Sequence, residues 1–321
     1  MSKKMVVVLP NLIDAHRKEI LSAAMAHGYD VCFFNSAASA LPALADAEIV
    51  FGQSEQLARH APQLRWLCTP SAGVNQFAAP GAFPAQNALL SNSSGAYGVT
   101  IAEHIIMVTL EMMRRRAQYN DIVSQRDWVR DLPIHSIKNS RITLLGTGDI
   151  GQETALRLRA FGPRRIWGVN RSGRNPGSMF DEVFPAEQLD DLLPSTDLMI
   201  LSLPGTPETD GIMNDKRLSL LPRDAYLVNV GRGNALDERA LEALLRSGHL
   251  SGAALDVFGQ EPLPKNSSLW ACPRLMITPH IAGNMTLPYT VERIVSLFLE
   301  DFENYCAGKP LLRRVDLQKG Y

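Results

Sequence analysis

Apolar residues along this chain gather in short, nearly unbroken runs, and between the runs they thin out to every third or fourth position. Runs at 5–9, 31–34, 49–51, 64–69 and 89–92 come first, and runs at 142–145, 166–169, 198–203, 225–230, 253–257 and 275–278 follow. Most stop at glycine, proline or a small polar residue, the pattern of strands buried on both faces. Helical spacing lies between some of them, for example over 15–27. Strand and helix in alternation predict α/β architecture, with parallel sheets covered on both faces.

Three helices carry finer signals. Thr100 and Glu103 have capping-box spacing, so a helix is expected to start there. It carries one apolar stripe through Ile101, Ile105, Val108 and Met112 and another through Ile106, Leu110 and Met113, as a helix buried on several sides does at a domain junction. Arg114, Arg115 and Arg116 read as its solvated end, where positive charge suits the dipole. A last amphipathic helix is expected over 288–299, and 313–321 reads as a polar tail.

The third helix belongs to the stretch around which the chain is organised. The strand 142–145 leads into Gly146-Thr147-Gly148-Asp149-Ile150-Gly151, and a helix follows with apolar spacing through Ala155, Leu158 and Phe161 before Gly162 and Pro163 end it. A lone G-x-G-x-x-G is weak evidence, but between a strand and a helix in a βαβ unit it predicts a dinucleotide site. Gly146 makes the tight turn, Gly148 lets backbone N–H groups approach a pyrophosphate, and Gly151 lets helix and strand pack closely. The next strand ends in Asn170-Arg171-Ser172-Gly173-Arg174, where an acid would normally hold a ribose 2′-hydroxyl. A guanidinium, a hydroxyl and an amide there suit a 2′-phosphate instead, so NADP is expected over NAD, with solvated surface charges as the plainer reading of the two arginines.

Composition narrows the class. Among 321 residues, 32 basic and 33 acidic side chains leave a net charge of −1, which points to neither nucleic acid nor a membrane surface as partner. Such a length suggests two domains. Cys32, Cys68, Cys272 and Cys306 are far apart and form no C-x-x-C, as expected of thiols in a reducing compartment. The apolar run after Lys4 stops at Pro10, too short for a signal-peptide core or a membrane span, and a cytoplasmic protein is expected.

Arg232, Glu261 and His280 each fall at or just past the end of a predicted strand in the nucleotide-binding half. Reducing a 2-oxo acid requires a hydride donor, a cation for the carboxylate and carbonyl, and an acid for the new alkoxide. Arginine suits the second task and histidine the third, and a carboxylate bonded to that histidine favours its protonated form. Singly, each also reads as an ordinary loop residue. Pro70-Ser71-Ala72-Gly73-Val74-Asn75, after another strand, has N–H groups suited to a carboxylate, though taken alone it reads as an ordinary loop.

Together, Gly146 to Gly151, Val230-Gly231-Arg232-Gly233, Asp256-Val257-Phe258 with Glu261-Pro262-Leu263-Pro264, and Thr278-Pro279-His280-Ile281-Ala282-Gly283 resemble the signature blocks of the D-isomer-specific 2-hydroxyacid dehydrogenases. The resemblance covers nearly the whole chain, and Asn170-Arg171-Ser172 is similar to its NADP-using glyoxylate and hydroxypyruvate reductase branch. It implies two doubly wound domains: a Rossmann nucleotide-binding domain over 98–286, and a flavodoxin-like substrate domain over 1–97 to which 287–321 returns. It implies that Arg232 binds a small 2-oxo acid, that His280 is the acid/base with Glu261 as partner, and that Asp256 meets the nicotinamide end. Ala72, Gly73 and Val74 would offer N–H groups to the substrate, Pro204 and Thr206 would contact cofactor, and the assembly would be a homodimer. Substrate size would be set by the turn after Phe51, the Ser71 loop, Tyr97 and Met285. The competing class is a dinucleotide-sensing, corepressor-like relative without turnover.

Overall fold

The computed structural model describes residues 3–78 and 88–316. By contacts the chain divides into Met1–Tyr97 with Asn284–Tyr321, and Gly98–Gly283. Each of the eleven apolar runs overlaps one of the twelve strands among the described residues, although the ends of run and strand often differ.

The first unit holds a five-stranded sheet in the order β2-β1-β3-β4-β5, from β1 (Lys3–Val8), β2 (Tyr29–Phe34), β3 (Ile49–Phe51), β4 (Trp66–Cys68) and β5 (Leu89–Ser91). Every pairing is parallel, and the order is that of the flavodoxin-like doubly wound fold. Val6, Val50, Leu67 and Leu90 form the core on one side, with Leu57 and Phe77. The helix Pro288–Cys306 is longer than its apolar stripe suggested, and its Phe298 stacks on Phe51 at 4.1 Å and on Trp66 at 5.3 Å. The expected polar tail is packed over its first part. Arg314 bridges Ser91, Val315 is buried, and Leu312 N donates to the buried Asp301 at 2.7 Å, while 317–321 lie outside the described residues.

The second unit holds a seven-stranded parallel sheet in the order β12-β11-β10-β9-β6-β7-β8. Its strands are β6 (Arg141–Leu145), β7 (Arg165–Asn170), β8 (Glu182–Pro185), β9 (Leu198–Leu201), β10 (Tyr226–Asn229), β11 (Gly252–Leu255) and β12 (Leu275–Ile277). The chain runs outward from β6 through β7 to β8 and then returns to β9 on the other side of β6. This Rossmann order opens a crevice past the C-terminal ends of β6 and β9. Strand β8 has no counterpart among the apolar runs, because an edge strand reading Glu-Val-Phe-Pro buries little.

Three local expectations change. The helix begins at Gly98, so Thr100 lies inside it and is not its cap; its first stripe is buried and Ile106 and Leu110 are half-buried. The arginine triplet is a break, since Arg115 takes a left-handed φ of 57° and a second helix, Arg116–Ser124, starts at once. The helix Asp149–Arg159 buries Ala155 and Leu158, but Phe161 falls beyond its end and is 37% exposed. No helix among the described residues is long and apolar enough to cross a membrane.

Candidate active site

Strand β6 delivers the glycine-rich turn to the head of the helix Asp149–Arg159. Gly146 has a φ of 112°, and a Cβ on Gly151 would stand 2.2 Å from the carbonyl oxygen of Gly146. A Cβ on Gly148 would meet nothing within 4 Å. The outer two glycines therefore serve the fold, while the space over the middle one, beside the helix N-terminus, fits a pyrophosphate. Ser202, just past β9, ties the two strand ends together by donating its N–H to Leu145 O at 2.9 Å.

At the end of β7 the loop 171–174 is wrapped around Asn170. Its Nδ2 donates to Thr147 Oγ1 at 2.8 Å and to Arg174 O at 2.9 Å, and its Oδ1 accepts from Ser172 N at 3.0 Å and Gly173 N at 2.7 Å. Thr147 is thus linked to the loop, while Ile150 lies in the first turn of the helix. After β9, Thr209, which sequence reasoning missed, closes the Pro204 turn. Its hydroxyl donates to Pro204 O at 2.7 Å and accepts from Thr206 N at 2.9 Å.

Arg232 sits past β10 between two glycines, and a Cβ on Gly233 would overlap the Phe258 carbonyl group at 1.8 Å. Only glycine allows that approach. Asn229, fully buried, holds the loop by donating to Arg232 O at 3.1 Å and accepting from Gly231 N at 3.0 Å. Burial pushes the Arg232 guanidinium below its ordinary value, and the nearby Glu261 charge opposes that, so the side chain is a poorly hydrated cation. Its Nη1 donates to Gly231 O at 2.7 Å.

Glu261 accepts from Phe258 N at 3.0 Å through Oε1, and its Oε2 lies 2.7 Å from His280 Nδ1. The imidazole is half-exposed and rides on a backbone in the left-handed region, φ 54°, which costs a non-glycine residue energy. Asp256 holds it there. The aspartate is 2% exposed; Thr278 Oγ1 donates to it at 2.5 Å, Ile281 N and Ala282 N each at 2.9 Å, and His280 N donates to its backbone carbonyl at 2.9 Å. Asp256, expected at the nicotinamide end, also builds the turn that carries residue 280. On the far side of Thr278, His104 Nε2 is 3.4 Å from the hydroxyl.

The Ser71 loop belongs to the first unit. Side chains fix three of its carbonyls: Thr69 Oγ1 donates to Ser71 O at 3.1 Å, Asn92 Nδ2 to Ala72 O at 2.8 Å and Ser71 Oγ to Gly73 O at 2.8 Å. Val74 is buried.

Residues 106–282 match the family model described as the D-isomer specific 2-hydroxyacid dehydrogenase, NAD binding domain. The chain belongs to that family. It is 36% identical over 225 residues, 70% of either chain, to glyoxylate/hydroxypyruvate reductase A of Salmonella newport (strain SL254). A D-isomer specific 2-hydroxyacid dehydrogenase family protein from Aeromonas salmonicida superposes with a TM-score of 0.86 at 30% identity, over 99% of this chain and all of that one. The NADPH-dependent glyoxylate/hydroxypyruvate reductase of Sinorhizobium meliloti, solved with NADP and sulfate, gives 0.81 at 27% identity over the same shares. The dehydrogenase fold of this family thus accounts for both sheets, the glycine turn and the order of the strand-end loops.

Proposed function

We propose that this dehydrogenase uses NADPH to reduce a small 2-oxo acid, glyoxylate or hydroxypyruvate in class, to the D-2-hydroxy acid. The bound nicotinamide supplies the hydride. Arg232 pairs with the substrate carboxylate and polarises the adjoining carbonyl, a role its poorly hydrated guanidinium suits. His280 donates the proton that the alkoxide takes up. Because Glu261 engages Nδ1, the transfer falls to Nε2, and this 2.7 Å contact is the observation that carries the reading. Asp256 keeps the imidazole aimed rather than touching substrate.

NADP over NAD rests on Arg171, Ser172 and Arg174 standing where an acid would hold a free ribose hydroxyl. In this reading 98–286 binds cofactor and 1–97 with 287–321 binds substrate, where the braced Ala72, Gly73 and Val74 offer N–H groups to the carboxylate. The enzyme acts in the cytoplasm as a homodimer. The exposed apolar residues Val123, Trp128 and Ile134, at the end of the helix Arg116–Ser124 and in the segment after it, support the last point, with Trp128 85% exposed.

NADPH oxidation with a panel of 2-oxo acids tests the proposal, with turnover expected on glyoxylate or hydroxypyruvate and a higher kcat/KM for NADPH than for NADH. Tight NADPH binding without turnover on any acid would establish the dinucleotide-sensing class instead. Light scattering on the eluting protein should give twice the 35.3 kDa chain mass, and a monomer would remove the dimer.

A further inference from the structure

The dinucleotide reading assigns Asn170 to the ligand, but its side chain has no capacity left for one. A primary amide offers two N–H donors and two acceptor positions on its oxygen. Both donors are taken, by Thr147 Oγ1 at 2.8 Å and Arg174 O at 2.9 Å, and Oδ1 already accepts from Ser172 N and Gly173 N. The orientation of the amide is fixed by these neighbours, since a flipped group would set its oxygen against the Arg174 carbonyl and its nitrogen against two backbone N–H groups. The bonds also bracket the loop. They span residue 172 to residue 174 and reach back to Thr147 in the glycine turn, which is itself packed so closely that a Cβ on Gly168 would lie 2.6 Å from its methyl group. Gly173 completes the fold of the loop with a φ of 66°, and a Cβ there would stand 3.0 Å from Pro185.

We infer that Asn170 is a positioning residue that sets the preference for a 2′-phosphorylated cofactor without touching it, by building the loop that presents Arg171, Ser172 and Arg174. The inference rests on the NADP reading above. It changes what the missing acid means. Aspartate at 170 could keep the bonds from Ser172 N and Gly173 N, but its second oxygen would face the Arg174 carbonyl with no hydrogen between them. The loop itself thus requires the amide, beyond the repulsion an acid would exert on a phosphate.

Calorimetric titration with adenosine 2′,5′-bisphosphate and with AMP tests this without turnover. Wild-type protein should bind the bisphosphate the more tightly. Asn170→Ala should weaken the bisphosphate by about tenfold and leave AMP within about twofold, and in an Arg171→Ala background the same change should cost less than about threefold, because both act through one contact. Asn170→Asp should also lose the bisphosphate and gain nothing for NADH. Equal losses for the two probes, or full additivity with Arg171→Ala, would overturn the inference and leave Asn170 a purely structural residue. Wild-type discrimination that survives Asn170→Ala overturns it alone. Equal affinity of the wild type for the two probes overturns the NADP reading first, and the inference with it. Melting temperatures of the variants, expected within a few degrees of wild type, show that the loss is local.

Discussion

Two turns of the nucleotide-binding unit are built on one plan and differ in what holds them. At the end of β11 the carboxylate of Asp256 gathers Thr278, Ile281 and Ala282, and at the end of β7 the amide of Asn170 gathers Ser172, Gly173 and Arg174. The first organiser is an ion, 2% exposed, and the second is neutral and half-buried. Hydrogen bonds to a buried charge are the stronger, and their loss strands donors away from water. The bonds of the amide are weaker singly, so its loss should change the shape of its loop without destabilising the unit as a whole. On the proposed function, the contrast assigns rigidity to the end where a proton would be aimed and adjustability to the end where one cofactor would be told from another.

The largest expected effect lies on the rigid side. His280→Ala should lower kcat by about 10³-fold, the scale of a lost general acid, with the Kd for NADPH unchanged. A fall in cofactor affinity with turnover intact would move the residue to the other side of the comparison. Asp256→Ala comes next. Removing the acceptor of three hydrogen bonds at a buried site should destabilise the protein by about 2–4 kcal/mol in urea unfolding and lower kcat by more than about tenfold, since the left-handed backbone of His280 loses its support. Loss below about 1 kcal/mol would make this turn no more rigid than the other.

How far each turn could be read from sequence follows from the same chemistry. The strands are legible because an apolar run between turn residues has few alternatives, and Arg232, Glu261 and His280 stand out because the runs locate strand ends. Strand β8 is not legible, having only Val183 and Phe184 to bury at a sheet edge. The organisers are legible as polar residues at strand ends, but not in their aim. Asn170 and Asn229 bond backbone within their own turns and Asp256 bonds backbone past the neighbouring strand β12, and a sequence does not say whether such a side chain faces a loop or a ligand. His104 reaches Thr278 from a helix far away in sequence, and Thr209 closes its own Pro204 turn without a motif that marks it. The capping box failed for a related reason, because Thr100 has the right spacing at a place where the helix has already begun at Gly98.

A smaller effect sharpens the picture of the rigid turn. Burial pushes His104 below the ordinary histidine value, with the charges of Asp256 and Glu111 opposing it. The folded protein therefore keeps this ring neutral at a pH where the unfolded chain takes up a proton. Stability contributed by the neutral form is present above the unfolded value, about 6.5, and is lost as pH falls below it. Relative to His104→Gln, wild type should gain about 1 °C in Tm between pH 5 and pH 8. No change in that difference would mean that the turn is as well hydrated as the loop at 171–174.

The smallest effect belongs to the adjustable side and follows from Glu208. The Thr206 hydroxyl, its own backbone amide and the charge of Arg171 hold this carboxyl below the usual range, so it is ionised at neutral pH beside the arginine proposed to meet the 2′-phosphate. Glu208 is fully exposed, and water and salt screen its field. Glu208→Gln should therefore tighten NADPH by only about twofold at low salt, with the gain vanishing at about 0.5 M salt and NADH unaffected. A tenfold gain that persists in high salt would mean that Arg171 works out of contact with water. The cofactor end would then be held like the reaction end, and the difference between the two turns would lie only in the sign of what they bind.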